Sequence, residues 1–164
     1  GGAVFDLTRV KFEHDNRVDL LTGAEMQTNF YRHLLRAMAV RRRNGGSLFI
    51  VTVKVISPSR EFKSGSPASF EQVKRYEDEL KRTSNIIKKN LRAEDFYTRM
   101  SADGFYILIT GDKSEEADLS ERFKRLFADR SLYVVASYRL IGDPSPTEWL
   151  TEIDNHFFTL PTSK

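Results

Sequence analysis

Two clusters in this chain have the residue types and spacing for chemistry, and they lie in one short stretch. Arg92 and Asp95 stand three positions apart, and Ser101-Ala102-Asp103-Gly104-Phe105 follows close behind. An arginine presents a planar fork of N–H donors and a carboxylate presents acceptor oxygens, so the first pair can hold a ligand that offers the reverse of each. The second cluster carries an acid, Asp103, at the tip of what reads as a hairpin. Residues 96–100 form one strand and 105–110 the return strand, with a tight turn closed by Asp103-Gly104, a dipeptide that accepts the positive φ angles of a two-residue turn. Three uses are open: chemistry at the turn, binding at Arg92 and Asp95, or a hairpin and nothing more.

Composition narrows the setting. At 164 residues the chain has the size of one domain and buries a core without staples. It has no cysteine, which excludes disulfides and thiolate metal sites and leaves no mark of an oxidising compartment. His14, His33 and His156 are far apart without ligand spacing and read as structural or surface histidines. No run reaches the ~18 apolar residues of a membrane-spanning helix, and the start lacks a signal-peptide layout, so a soluble, cytoplasmic domain is expected. A net charge of +3, with Lys and Arg spread along the chain, favours an anionic ligand without demanding a nucleic-acid polymer.

The elements that must position these residues can be read in order. Gly1-Gly2 reads as a cloning remnant or the cut edge of a longer chain, and residues 3–18 are ambiguous. Thr22 and Glu25 have capping-box spacing and predict a helix whose apolar face is Phe30, Leu34, Leu35 and Met38. It ends at Arg41-Arg42-Arg43-Asn44-Gly45-Gly46, an arginine triplet that reads as a solvated helix end. Residues 48–56 are a β-branched run too apolar for an edge and predict a central strand interrupted by Thr52 and Lys54. Residues 57–69 form a loop, and Ser69 with Gln72 opens a long helix with Phe70, Val73, Leu80, Ile87 and Leu91 inward. After the hairpin come a loop over 111–116, a helix over 117–128 with Phe123, Leu126 and Phe127 inward, and a strand over 132–141. Ser145 and Glu148 then cap a last helix, with Pro146 at its first position and Trp149, Leu150, Ile153 and Phe157 as its buried stripe. The order predicts an α/β (α+β) fold: a mixed, mostly antiparallel central sheet flanked by helices.

On these residues the chain resembles a GGDEF domain, the bacterial diguanylate cyclase family, from about Asp19 to Leu160. Asp19-Leu20-Leu21-Thr22-Gly23 resembles its Asp-x-Leu-Thr-Gly motif. Residues 48–56 resemble the strand that ends in Asp-x-Asp, and 99–105 the Arg-x-Gly-Gly-Asp-Glu-Phe hairpin. Arg92 and Asp95 resemble the Arg-x-x-Asp inhibitory site, and their five-residue spacing from Ser101 matches the family's register. A second Arg-x-x-Asp at Arg75 and Asp78 lies inside a helix and lacks that register. The resemblance implies a nucleotidyl-cyclase, palm-like fold over residues 19–164, with 1–18 as an N-terminal extension.

It also implies that the signature is degenerate. Ser101, Ala102, Asp103, Gly104 and Phe105 stand for Gly-Gly-Asp-Glu-Phe, keeping the third and fifth letters. Ala102 adds a methyl group where the triphosphate approaches the backbone. The family's signature acids hold two metal ions together with strand aspartates that are replaced here by Thr52 and Lys54; a lysine cation opposes a metal, and the one surviving acid, Asp103, does not build a two-metal site. Arg60 and Glu61 replace the Asn-Asp pair whose asparagine reads guanine, and Pro161 falls near the phosphate-binding lysine. Losing one well-placed electrostatic group costs a rate factor of ~10² to 10³, so the expectation is no catalytic residue, no metal, no cofactor and no enzyme activity. The Arg-x-x-Asp pair keeps its chemistry: guanine O6 and N7 accept from an arginine fork, and guanine N1–H and N2–H₂ donate to a carboxylate. Arg122, with Arg125 as fallback, falls where the family supplies a further arginine.

Three functions follow, in order of preference. One is a receptor for cyclic di-GMP through Arg92, Asp95 and Arg122, relaying ligand level to a signalling or localisation partner or to a ligand-linked homodimer. Another is a ligand-independent protein-interaction module, in which Arg92 and Asp95 are a surface ion pair worth ~0 to 1 kcal/mol. The third is a working cyclase with an unusual site.

Overall fold

The computed structural model of the chain describes residues 19, 21–56, 67–111, 121–127 and 133–161. Their order is α1 (Gln27–Asn44), β1 (Ser47–Val55), α2 (Pro67–Asn90), β2 (Phe96–Ser101), β3 (Gly104–Gly111), a short helix α3 at 121–126, β4 (Tyr133–Arg139) and α4 (Pro146–Thr159). The sheet runs β2-β3-β1-β4. Every pairing between its strands is antiparallel, and the isolated Glu25–Thr98 bridge is parallel.

Strand β1 is central, as its apolar run predicts, and alternation sorts its side chains into two cores. Val51, Val53 and Val55 face α2 and α3, meeting Val73, Tyr76, Leu80, Ile87, Phe123 and Phe127. Leu48 and Ile50 face α1 and α4, meeting Phe30, Leu34, Met38, Trp149, Ile153 and Phe157. The molecule is therefore a sheet with helices on both faces, and Thr52 and Lys54 point into the α1/α4 side.

Three residues expected inside lie outside: Leu35 is 44% exposed, Phe70 71% and Leu126 37%. Leu34 and Phe127 take the inward positions beside two of them. On α2 the buried row runs Val73, Tyr76, Leu80, Thr83, Ser84 and Ile87, starting after Phe70 and using polar positions that an apolar stripe does not reveal. Thr83 donates to Glu79 O, and Ser84 donates to Thr22 O and bonds the Tyr97 hydroxyl, so both are satisfied locally. The start of α1 also differs. Its N-cap is Met26, without a side-chain cap, because Thr22 is taken elsewhere: its hydroxyl donates to Asp19 at 2.6 Å and accepts from Ala24 N. Helix α2 begins at Pro67, ahead of Ser69. The Ser145 cap forms as expected, accepting from Glu148 N with Pro146 at the first turn.

Asp19 ties the chain's opening to the hairpin. Its carboxylate accepts from Thr22 N and Oγ1 and pairs with the Arg99 guanidinium, which is 1% exposed and also donates to Ala102 O. Burial pulls the Arg99 pKa down, and the facing carboxylate opposes that. Removing one member of a buried ion pair strands the other charge, at a cost of about 3–5 kcal/mol. Asp19→Ala should therefore lose about that much stability in urea unfolding, and Asp19→Leu/Arg99→Met should lose less than either single change.

Candidate functional site

The degenerate turn is built from nearby backbone and a distant helix. Ser101 pairs with Gly104, so the two turn residues are Ala102 and Asp103, and a bulge between Arg99 and Ser101 shifts the register ahead of them. No non-glycine described residue has positive φ, and Gly104 is not among the glycines that do. The expectation that Asp103-Gly104 supplies positive φ is thus corrected. Gly104 already belongs to β3, and its glycine serves space: an added Cβ would lie 2.2 Å from the Phe157 ring tip and 2.9 Å from Ser101 Oγ. Asp103 is held locally, accepting from the Ser101 hydroxyl through its side chain and from Val55 N through its carbonyl.

Lys54 lies beside this turn, paired in register with Gly104 and 1% exposed. Its ammonium donates to Phe157 O and Leu160 O, both at 3.1 Å, and sits 4.7 Å from the Phe157 ring centroid. A cation at the carbonyl end of α4 is favoured by the helix dipole and by unpaired terminal carbonyls. Burial lowers the Lys54 pKa while the Asp103 carboxylate opposes that. The resemblance puts metal-binding acids at Thr52, Lys54, Asp103 and Gly104, of which this chain keeps Asp103 alone. Instead, Thr52 is fully buried, Lys54 caps α4, and the Phe157 ring fills the space beside Gly104. Among the described residues no group of three or more His, Asp or Glu is placed to hold a metal ion.

The other end of β2 carries Arg92 and Asp95. Residues 92–95 form a turn between α2 and β2, closed by Asp95 N donating to Arg92 O. The Asp95 carboxylate accepts from Arg92 Nε and Nη2, both at 3.1 Å, and from Arg92 N at 3.0 Å. Its side chain is 1% exposed against 26% for Arg92, so the acid is the buried anchor and the arginine side chain is half-buried over it. Arg92 also donates to Thr110 O across the hairpin and lies 3.4 Å from Glu94. Arg122, exposed on α3, donates at 2.8 Å to Asn90, the last residue of α2 two positions ahead of Arg92. The three residues expected to bind ligand therefore gather around one helix end.

A cavity of ≈ 290 Å³ adjoins this turn, sharing Glu94 and Thr110 and lined also by His33, Arg36, Arg41 and Phe96. His33 stacks on Phe96 with centroids 3.5 Å apart and pairs with Glu25. The sequence did not mark this cavity, because its lining comes from α1, β1, β2 and β3 at once. Nor is the arginine triplet merely a solvated end: Arg41 donates to Leu140 O and Gly142 O, and Arg42 pairs with Asp143. Of the remaining candidates, Arg125 is exposed on α3, Arg75 and Asp78 are exposed on α2, and Pro161 is exposed. Arg60, Glu61 and His14 lie outside the described residues.

No family model matches the chain, and no curated protein does. Solved structures match in fold. The GGDEF domain of DgcB from Caulobacter crescentus, solved with cyclic di-GMP, is 13% identical with a TM-score of 0.68 over 93% of this chain and 98% of that one. A DGC protein from Thermotoga maritima is 20% identical, TM-score 0.61, over 84% and 98%. Diguanylate cyclase SiaD from Pseudomonas aeruginosa, solved with its activator SiaC, is 14% identical, TM-score 0.66, over 84% of this chain and 55% of that one. The chain has the GGDEF-domain fold.

If Phe157 occupies the side-chain space of residue 104, Gly104→Ala should overpack the site and cost about 1–3 kcal/mol in urea unfolding. In a double-mutant cycle with Phe157→Leu that cost should shrink by more than about 0.5 kcal/mol; additive losses would show that the two sites do not touch.

Proposed function

We propose that this domain is a catalytically inactive receptor for cyclic di-GMP, binding through Arg92, Asp95 and Arg122 and relaying ligand level to a protein partner in the cytoplasm. The observation that carries the reading is the contrast between the two ends of β2. At the turn, the space that would hold metal and triphosphate is taken by Lys54, bonded to the end of α4, and by the ring of Phe157 of α4. At the start of β2, a half-buried guanidinium is held on a buried carboxylate, with Arg122 bonded to Asn90 nearby.

Binding exchanges bonds more than it creates them. Guanine O6 and N7 accept from Arg92 in place of the Asp95 oxygens, and guanine N1–H and N2–H₂ donate to Asp95, so both charged groups keep charge-assisted partners. The gain comes from stacking of guanidinium on base and from the cavity alongside, where Arg36 and Arg41 give the ligand's phosphates a basic surround. Solved GGDEF domains carry cyclic di-GMP, as in DgcB, and one binds a protein activator, as in SiaD, which supports both halves of the reading.

The Arg92–Asp95 pairing also favours a second reading. A pair this well satisfied holds the turn without any ligand, so the domain can serve as a ligand-independent docking module. Amide-shift mapping separates the two. With cyclic di-GMP, shifts should concentrate at Asn90 through Phe96, Thr110 and Arg122 and leave 101–104 unmoved. Arg122→Ala should weaken binding by about tenfold or more, the loss of one charge-assisted hydrogen bond. Pure protein with GTP and Mg²⁺ should form no cyclic di-GMP; product that disappears in Asp103→Ala would overturn the inactive assignment.

A further inference from the structure

Two carboxylates stand side by side ahead of β2, and they are in opposite circumstances. Both Asp95 oxygens are engaged: one accepts from Arg92 N and Nε, the other from Arg92 Nη2, and the side chain is 1% exposed. Glu94 fills a position that the Arg-x-x-Asp pattern leaves open, and its side chain is 54% exposed. Its Oε1 lies 3.4 Å from Arg92 Nε. An ionised carboxylate has about four lone-pair sites on its two oxygens, so Glu94 can keep that contact and still accept from a ligand.

That carboxylate lines the cavity of ≈ 290 Å³ beside the Arg92 turn. The volume is at the lower limit for small-molecule pockets, room for one base rather than a whole dinucleotide. The rest of the lining suits a purine. His33 and Phe96, stacked on each other at 3.5 Å, both line it, and nucleic-acid bases lie readily against aromatic rings. Arg36 and Arg41 are the arginines of the lining, so the cavity carries both signs of charge. A phosphate is drawn to the arginines and repelled by Glu94. Guanine is accepted there, because its N1–H and N2–H₂ lie next to each other and match two carboxylate oxygens. Adenine puts an acceptor at N1 instead, which meets the carboxylate unfavourably.

We infer that this cavity takes the second guanine of cyclic di-GMP and that Glu94 is the residue that reads it. The inference rests on the receptor reading above, in which Arg92 and Asp95 take the first guanine. The two positions are adjacent: Thr110, whose carbonyl accepts from Arg92, and Glu94, which lies against Arg92, both line the cavity. A ligand with two guanines on one ring of riboses and phosphates thus meets two neighbouring carboxylates, with its phosphates toward Arg36 and Arg41. Glu94 thereby makes the site demand guanine at both ends of the ligand, which Arg92 and Asp95 alone do not.

Titration calorimetry on the full chain tests it, comparing cyclic di-GMP with the mixed cyclic GMP–AMP dinucleotide of the same linkage. The mixed ligand sets guanine in one position and adenine in the other, so the wild type should bind it about tenfold or more weakly, as for one mismatched base edge. Glu94→Gln should bring the two ligands to within about threefold of each other, because a side-chain amide both donates and accepts and so pairs with either base. A merely structural role for Glu94 would change both affinities together and leave their ratio as it was. Equal affinity of the wild type for the two ligands, or a ratio that Glu94→Gln does not move, overturns the inference and leaves the receptor reading standing. Failure of the wild type to bind cyclic di-GMP overturns both.

Discussion

An ammonium group buried under the end of α4 decides what the hairpin turn can do. Lys54 reaches the carbonyls of Phe157 and Leu160 and so pins the last turn of α4 against β1. That fixes the Phe157 ring beside Gly104, edge-on to Tyr106, whose hydroxyl in turn donates to Asp154 of α4. These contacts depend on one another. An acid at Lys54 would face the negative end of a helix dipole, and any side chain at Gly104 would strike the ring. Lys54, Gly104 and Phe157 therefore form one packed unit, in which a change at one position is felt at the others.

The opposite end of β2 is held by a different set of contacts. Strand β2 spans from a turn anchored by Asp95 to a turn closed on Ser101, and the Asp19–Arg99 pair holds its middle to the chain's opening. The helices on the α2/α3 side bring Asn90 and Arg122 to the first turn, whereas α1 and α4 close over the second. The two ends of β2 thus differ in what packs on them: Asn90 and Arg122 beside the first turn, and Phe157 of α4 beside the second.

Much of this was legible from residues. The element order, the central place of β1, the Ser145 cap and the hairpin all follow from local pattern, and the grouping of Arg92, Asp95 and Arg122 follows from the resemblance. What failed was local chemistry overruled by contacts from far along the chain. Asp103-Gly104 reads as turn conformation, but Phe157 explains the glycine by volume. Thr22 and Glu25 read as a cap, but Asp19 takes the threonine hydroxyl and His33 pairs with the glutamate. Lys54 reads as a lost metal ligand, and only the fold shows the helix end it serves. The cavity beside Arg92 has no linear signature, since four elements build it.

Titration calorimetry with cyclic di-GMP on wild type and Arg92→Ala bears most directly on the central claim, that function lies at the start of β2 and not at the turn. Micromolar binding to wild type, weakened about tenfold or more in Arg92→Ala, is the predicted result, the variant having lost a guanidinium fork worth at least ~1.4 kcal/mol. No heat from wild type at micromolar ligand, or equal affinity in the variant, would contradict it.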